Sequence, residues 1–384
     1  MILTWVSHAA VQPTINQSRH GCKPKPENFR SNSKSLPTLA TIVVEKLRRG
    51  SGLLEQCDEH ESAGARSFEV SAGFATGQIP KDQYMHKIPL NRIQGCLLGL
   101  AVGDAVGSNY EGLFADIILS YGGGDEIVKH KSGETLNYTD DTQMMIGVAE
   151  TLVKHGEIVS DYLCQRFAQN YQKGRGYGQG VRPLIEAMAI GEFDQETTPF
   201  LVFENGSYGN GAAMRVAPVG LLFHDDKLIE QSDLASIVTH AHELGLDGAR
   251  IIAKAVSVAA RMDRFDRIEF FNELISVCVT EDFKWQLETA RDLPPFSSVS
   301  FGNSLEAHES VVTSLVCFAD SPRDFPGTVS RAIGTGGDVD TIAAMAGAIS
   351  GAFLGVEAIP ENLIECLENG PQGKDYLFEL AEKI

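Results

Sequence analysis

The stretch TGGDVDTIAAMAGAISG, residues 335–351, limits what this chain can fold into more than any other. It sets two carboxylates and a hydroxyl at the start of a helix that has to be buried. Behind Asp338, Asp340 and Thr341, the residues Ile342, Met345, Ala346 and Ile349 recur at helical spacing among alanines and glycines, so the helix is expected to be packed on nearly every side. Two carboxylates this close repel, and burying them uncompensated costs several kcal/mol; they require hydrogen bonds, protonation or a cation. Gly336-Gly337 supplies a tight turn ahead of them. On this stretch alone, the acids read equally well as a helix cap favoured by the positive end of the helix dipole.

A second acidic cluster breaks the tie. Tyr138-Thr139-Asp140-Asp141-Thr142 precedes Met144, Met145, Val148 and Leu152, whose spacing again predicts an amphipathic helix. The order hydroxyl, carboxylate, carboxylate, helix is repeated. Oxygen-only clusters with neither Cys nor His suit hard octahedral cations such as Mg²⁺ or Mn²⁺ better than zinc, and a two-metal site follows if the clusters meet in space.

Composition narrows the classes. With 384 residues and 43% hydrophobic content the chain can build a proper core. No apolar run reaches membrane-spanning length; the best candidate, residues 342–354, is short and preceded by acids. A net charge of −19 argues against nonspecific binding to nucleic acid or anionic membranes, both of which need basic patches. The charge is uneven, since residues 1–50 carry +6 and the remainder −25. Seven cysteines, odd in number and without a CxxC pair, fit reduced thiols in an intracellular protein expected to be monomeric and cytoplasmic. The first 26 residues lack any acid, a weak organelle-targeting signal. Residues 1–88 are rich in polar, Ser and Pro clusters and read as a largely disordered extension, apart from a short helix near Leu39 to Leu47.

From residue 89 the patterning is helical and strand-like alternation is scarce, which predicts one all-α domain over 89–384. Gly95, Gly99 and Gly103 fall at four-residue intervals on one helix face, where missing side chains permit close helix contact. Asp104 and Glu111 follow. Glu111 sits on the exit loop, and the flanking Gly107 and Gly112 would let that loop swing. A helix with Leu163, Phe167 and Tyr171 inward ends in the loop Lys173 to Gly180, which has four glycines in seven residues; this loop and Gly206 to Gly211 could present backbone N–H groups to phosphate or serve only as connections. No GxxxxGK[ST] sequence occurs. Further helices are expected over 212–223, 232–243, 247–262, 267–279, 305–318 and 325–333. His240 and His242, two apart, would face different sides of a helix and so do not chelate one ion.

Through GDAVGSNYEG (103–112), YTDDTQM, GSYGNGAAMRVAP (206–218), THAHELG (239–245) and GTGGDVDTIAAMAGA, the chain resembles the ADP-ribosylglycohydrolase family over about residues 90–370. RGYGQGV (175–181) with GSYGNG is most similar to the branch acting on ADP-ribosyl-serine, O-acetyl-ADP-ribose and poly(ADP-ribose). The resemblance implies a compact multi-helix fold and hydrolysis at the anomeric carbon of ADP-ribose with two Mg²⁺ or Mn²⁺ ions. By matching position, Thr139, Asp140, Asp141, Asp338, Asp340 and Thr341 would be metal ligands, with Glu111 and Asp141 catalytic. Gly178, Gly206, Ser207, Tyr208, Gly209 and His240 would line the substrate pocket; His242 has no such role. ADP-ribosylated proteins or ADP-ribose conjugates would be the substrates. The alternatives are an arginine-directed hydrolase cutting an N-glycosidic bond, and a catalytically inactive ADP-ribose-binding relative.

Overall fold

No strand forms among the described residues, 87–129 and 133–384 of a computed structural model; two isolated bridges, Leu136 to Leu367 and Gly209 to Glu306, stand in for sheet. The described residues instead form sixteen α-helices: α1 Leu90–Gly107, α2 Ala115–Ser120, α3 Gly124–Ile127, α4 Asp140–His155, α5 Ser160–Asn170, α6 Arg182–Ala189, α7 Ala217–Leu222 and α8 Asp225–Ile237, followed by α9 Glu243–Ala259, α10 Arg267–Ile275, α11 Glu281–Asp292, α12 Ala307–Asp320, α13 Phe325–Gly334, α14 Val339–Leu354, α15 Glu361–Cys366 and α16 Lys374–Lys383. The all-α expectation holds. The extension expected over 1–88, with its short helix, lies outside the described residues except for its last two.

The glycine repeat explains the centre. Gly95, Gly99 and Gly103 face Gly351, Gly347 and Ala343 of α14, so that a Cβ on any of them would collide with a backbone carbonyl. The match runs antiparallel, since the start of α1 meets the end of α14. Gly347 and Gly351 return the contact, and Gly107 adds a fourth turn, where a Cβ would lie 2.6 Å from the Cα of Asp340. Two helices this close gain dispersion along their backbones while leaving their other faces free for neighbours. Around α14 pack α9, α12 and α13; α4 and α16 pack on α1. Residues 339–353 are accordingly buried without exception, as the small-residue composition predicts.

Some expected spans shift. The helix expected over 212–223 splits into a 3₁₀ turn at Ala213–Arg215 and α7, because Pro218 near the start of α7 has no N–H to continue a helix from the preceding turn. The span expected over 232–243 is the tail of α8, which stops at Ile237, so His240 and His242 stand in a loop rather than on a helix. His242 caps α9, its Nδ1 accepting the Leu244 N–H at 3.2 Å. Gly107 is no hinge: it lies inside α1, buried against Asp340.

Candidate active site

Burial of α1 carries a cost that decides the layout. Asp104, inside its apolar run, is fully buried, and its two carboxylate oxygens accept the backbone N–H groups of Thr139 and Thr142 at 2.9–3.0 Å and the Thr139 hydroxyl at 2.8 Å. The Thr142 hydroxyl also donates to it. Burial raises its pKa to about 6 against the pull of these bonds. One helix therefore grips the first acidic cluster through Asp104 and touches the second through Gly107, which brings the clusters together.

The electrostatics record the meeting. Asp141 is held well above the usual carboxylate range by burial, then by Asp104, Asp340, Asp140 and Asp338. Asp340 is raised by burial, then by Asp338, Glu111 and Asp104. Asp140 is pushed up to about 8 by burial, then by Asp104, Glu111 and Asp338. Asp338 reaches about 6, burial outweighing a hydrogen bond from the Asn210 amide. Carboxyl oxygens of Glu111, Asp338 and Asp340 lie within 4.8 Å of one another.

These acids do not cap their helices. Asp338 precedes α14 and Thr139 precedes α4, yet neither makes a side-chain capping bond. Asp141 Oδ1 and Asp340 Oδ1 are buried with no hydrogen-bond partner among the described residues. An orphaned, buried carboxyl oxygen on each side is the signature of a group that wants a cation, and the all-oxygen donor set fits a divalent hard ion. Thr341 is buried beside Asp340 at the first turn of α14.

Glu111 is exposed just outside this cluster. Its loop is clamped to the Gly336-Gly337 turn ahead of Asp338, with the Gly112 N–H donating to Gly337 O and the Gly337 N–H donating to Leu113 O, both at 2.8 Å. Gly112, Gly336 and Gly337 all take positive φ, which glycine alone adopts without strain.

The first glycine loop is anchored at its start. Arg175 accepts the Asp140 N–H on its carbonyl at 2.7 Å, lies 4.1 Å from the centre of the Tyr138 ring, and pairs with Glu368, which in turn accepts the Tyr138 N–H at 3.0 Å. Tyr177 is buried with its hydroxyl on Gln143. Gly178 beyond it is exposed and faces open space. A cleft of about 310 Å³ behind Arg175 and Glu368 reaches Tyr138 but none of the five clustered acids.

The second glycine loop runs over His240. Gly206 is buried with φ of 78°, and a Cβ there would meet the His242 backbone nitrogen at 2.7 Å. Ser207 Oγ accepts the Gly209 N–H at 3.2 Å; Tyr208 is 44% exposed, its ring edge-on to His242. A Cβ on Gly211 would lie 2.8 Å from the imidazole of His240, which is buried. Asn210 ties this loop to the second cluster, its amide donating to Ser310 Oγ at 2.9 Å and to Asp338.

Glu111, Asp140, Asp141, Asp338 and Asp340 thus converge, and Asn210 joins the glycine loop to them. Sequence reasoning named neither Asp104 nor Asn210 as a site residue. The signal for Asp104 was available: a lone carboxylate in LLGLAVGDAVG has to find donors somewhere.

The family model described as ADP-ribosylglycohydrolase matches residues 85–384. The ADP-ribosylhydrolase ARH3 of Gallus gallus is 32% identical over 364 residues, covering 81% of this chain and 98% of its own. The ADP-ribosylhydrolase ARH3 of Homo sapiens is 31% identical over 346 residues, 77% of this chain and 94% of its own. A solved structure titled ADP-ribosylglycohydrolase-related protein complex shares the fold at a TM-score of 0.58 and 23% identity, over 78% of this chain and 98% of that one.

Proposed function

We propose, for a chain that belongs to the ADP-ribosylglycohydrolase family and is therefore a hydrolase, that it cleaves the O-glycosidic bond at the anomeric carbon of ADP-ribose in serine-linked conjugates, O-acetyl-ADP-ribose and poly(ADP-ribose). The observation that carries this reading is the orphaned Oδ1 atoms of Asp141 and Asp340 within one buried set of carboxylates. Thr139, Asp140, Asp141, Asp338, Asp340 and Thr341 would hold two Mg²⁺ or Mn²⁺ ions, which when bound orient the distal ribose hydroxyls and polarise water.

The chain's own residues supply the rest. Glu111, within reach of Asp338 and Asp340 yet open to solvent, exchanges protons with the leaving oxygen and the incoming water. The Gly206–Gly211 loop receives the diphosphate, with Tyr208 and His240 as walls. Asn210 keeps that loop in register with Asp338.

The test is a side-by-side assay of the full chain on serine-linked and arginine-linked ADP-ribosyl peptides, with and without Mg²⁺. Mg²⁺-dependent release of ADP-ribose from the serine-linked peptide alone is the expected result. Preferential cleavage of the arginine-linked peptide would reassign the substrate, and tight ADP-ribose binding without turnover would make the chain a binding protein.

A further inference from the structure

Beneath the second glycine loop lies a cation without a counter-ion. Arg215 is fully buried, and among the described residues no carboxylate pairs with it. Its guanidinium lies 4.8 Å from the centre of the Phe167 ring and donates to Gly211 O at 3.1 Å, Ala235 O at 2.9 Å and Thr239 Oγ1 at 2.7 Å. Burying an unpaired charge is costly, so a packing role alone explains it poorly.

The bond to Thr239 has a direction. An arginine only donates, so Thr239 Oγ1 must accept from it. The same oxygen lies 2.7 Å from His240 Nδ1, and no other acceptor for its proton is present among the described residues. The hydroxyl therefore donates to Nδ1, which leaves Nδ1 as a bare acceptor and puts the imidazole proton on Nε2. Burial, and then Arg215, lower the His240 pKa to about 3, which keeps the ring neutral. Nε2 faces the glycine loop, 3.0 Å from where a Cβ on Gly211 would be and 3.7 Å from one on Gly209, and has no partner among the described residues.

We propose that Arg215 and Thr239 are positioning residues that lock His240 as the Nε2–H tautomer, so that a buried ring presents a hydrogen-bond donor to an acceptor oxygen of the ligand held by the Gly206–Gly211 loop. The ligand part rests on the reading of that loop given above; the tautomer part does not. The flipped tautomer would point a lone pair at the same oxygen and repel it. A donor lost from a buried wall weakens binding by roughly tenfold.

Nitrogen-15 spectra of the histidine-labelled full chain near neutral pH, with the His240 signals assigned by their absence in His240→Gln, report which ring nitrogen is protonated. Titration with ADP-ribose reports affinity. The wild type should show a proton on Nε2 only. Thr239→Val, which keeps the shape but loses the hydroxyl, should show mixed tautomers and roughly tenfold weaker ADP-ribose binding, and Thr239→Ser should restore both. A wild-type proton on Nδ1 overturns the proposal, as does a Thr239→Val protein with unchanged spectrum. A changed spectrum with unchanged affinity overturns the positioning role. Should the wild type not bind ADP-ribose at all, the reading of the loop fails and the spectra alone decide the tautomer.

Discussion

At the scale of single residues, the site is a set of carboxylates arranged to be unhappy alone. Glu111 is the exception, being exposed and held beside its acidic neighbours by a backbone clamp rather than by its own side chain. Glu111→Gln preserves shape while removing proton transfer, so single-turnover cleavage of a serine-linked peptide should slow by roughly 10²- to 10⁴-fold with little change in ADP-ribose affinity. Near-normal rates would remove it as the acid/base. Asp104 never reaches the substrate in this scheme, yet it orients Thr139 and Thr142 through five hydrogen bonds. Asp104→Asn swaps an all-acceptor group for one with two donors facing N–H and O–H groups. It should weaken Mg²⁺ binding by roughly 10- to 100-fold, the usual scale for a residue that aims a ligand, as read by calorimetric titration.

At the scale of elements, the α1 and α14 pair fixes everything else. Gly103→Ala puts a methyl group into the Ala343 carbonyl, and backbone gives way far less readily than a side-chain tip. Such overpacking typically costs about 1–3 kcal/mol, and here the upper end or beyond is expected, measured as a lower midpoint in urea with Gly178→Ala as the exposed control. This pairing was legible in the sequence because a four-residue glycine repeat has only one structural use on a buried helix. So were the acidic helix starts, since crowded carboxylates demand an answer. The short helices α2, α3, α6 and α15 and the longer α11 and α16 were not, because their polar faces dilute the periodicity on which such readings depend. Nor was the end of α8 at Ile237: the loop that follows is set by the bonds of Arg215 and the cap at His242, contacts between residues whose spacing carries no local signal.

At the scale of the whole molecule, the buried acids make stability depend on pH and metal together. Asp104 and Asp338 rise to about 6 and Asp140 to about 8, so between about pH 4 and pH 8 the metal-free folded chain binds more protons than the unfolded one. Stability therefore falls as pH rises through that window. Thermal melts in chelator should show Tm declining toward pH 8, and Mg²⁺ should reverse the trend, with about 2.7 kcal/mol gained at a hundredfold excess over Kd. A Tm in chelator that is flat across the window would contradict the buried arrangement of charges. A chain starting at Met85, where the family match begins, should fold and turn over unaided. The antiparallel pairing of α1 with α14 also sets a timetable for biosynthesis. Gly95 and the Gly351 that covers it are 256 positions apart, so at about 5–20 residues per second a ribosome exposes the bare, grooved face of α1 for roughly 10 to 50 s before its partner exists. For that interval the nascent chain carries an unsheathed apolar rod, and its yield in a cell should follow the supply of chaperones that can hold such a rod more closely than it follows the stability of the finished enzyme.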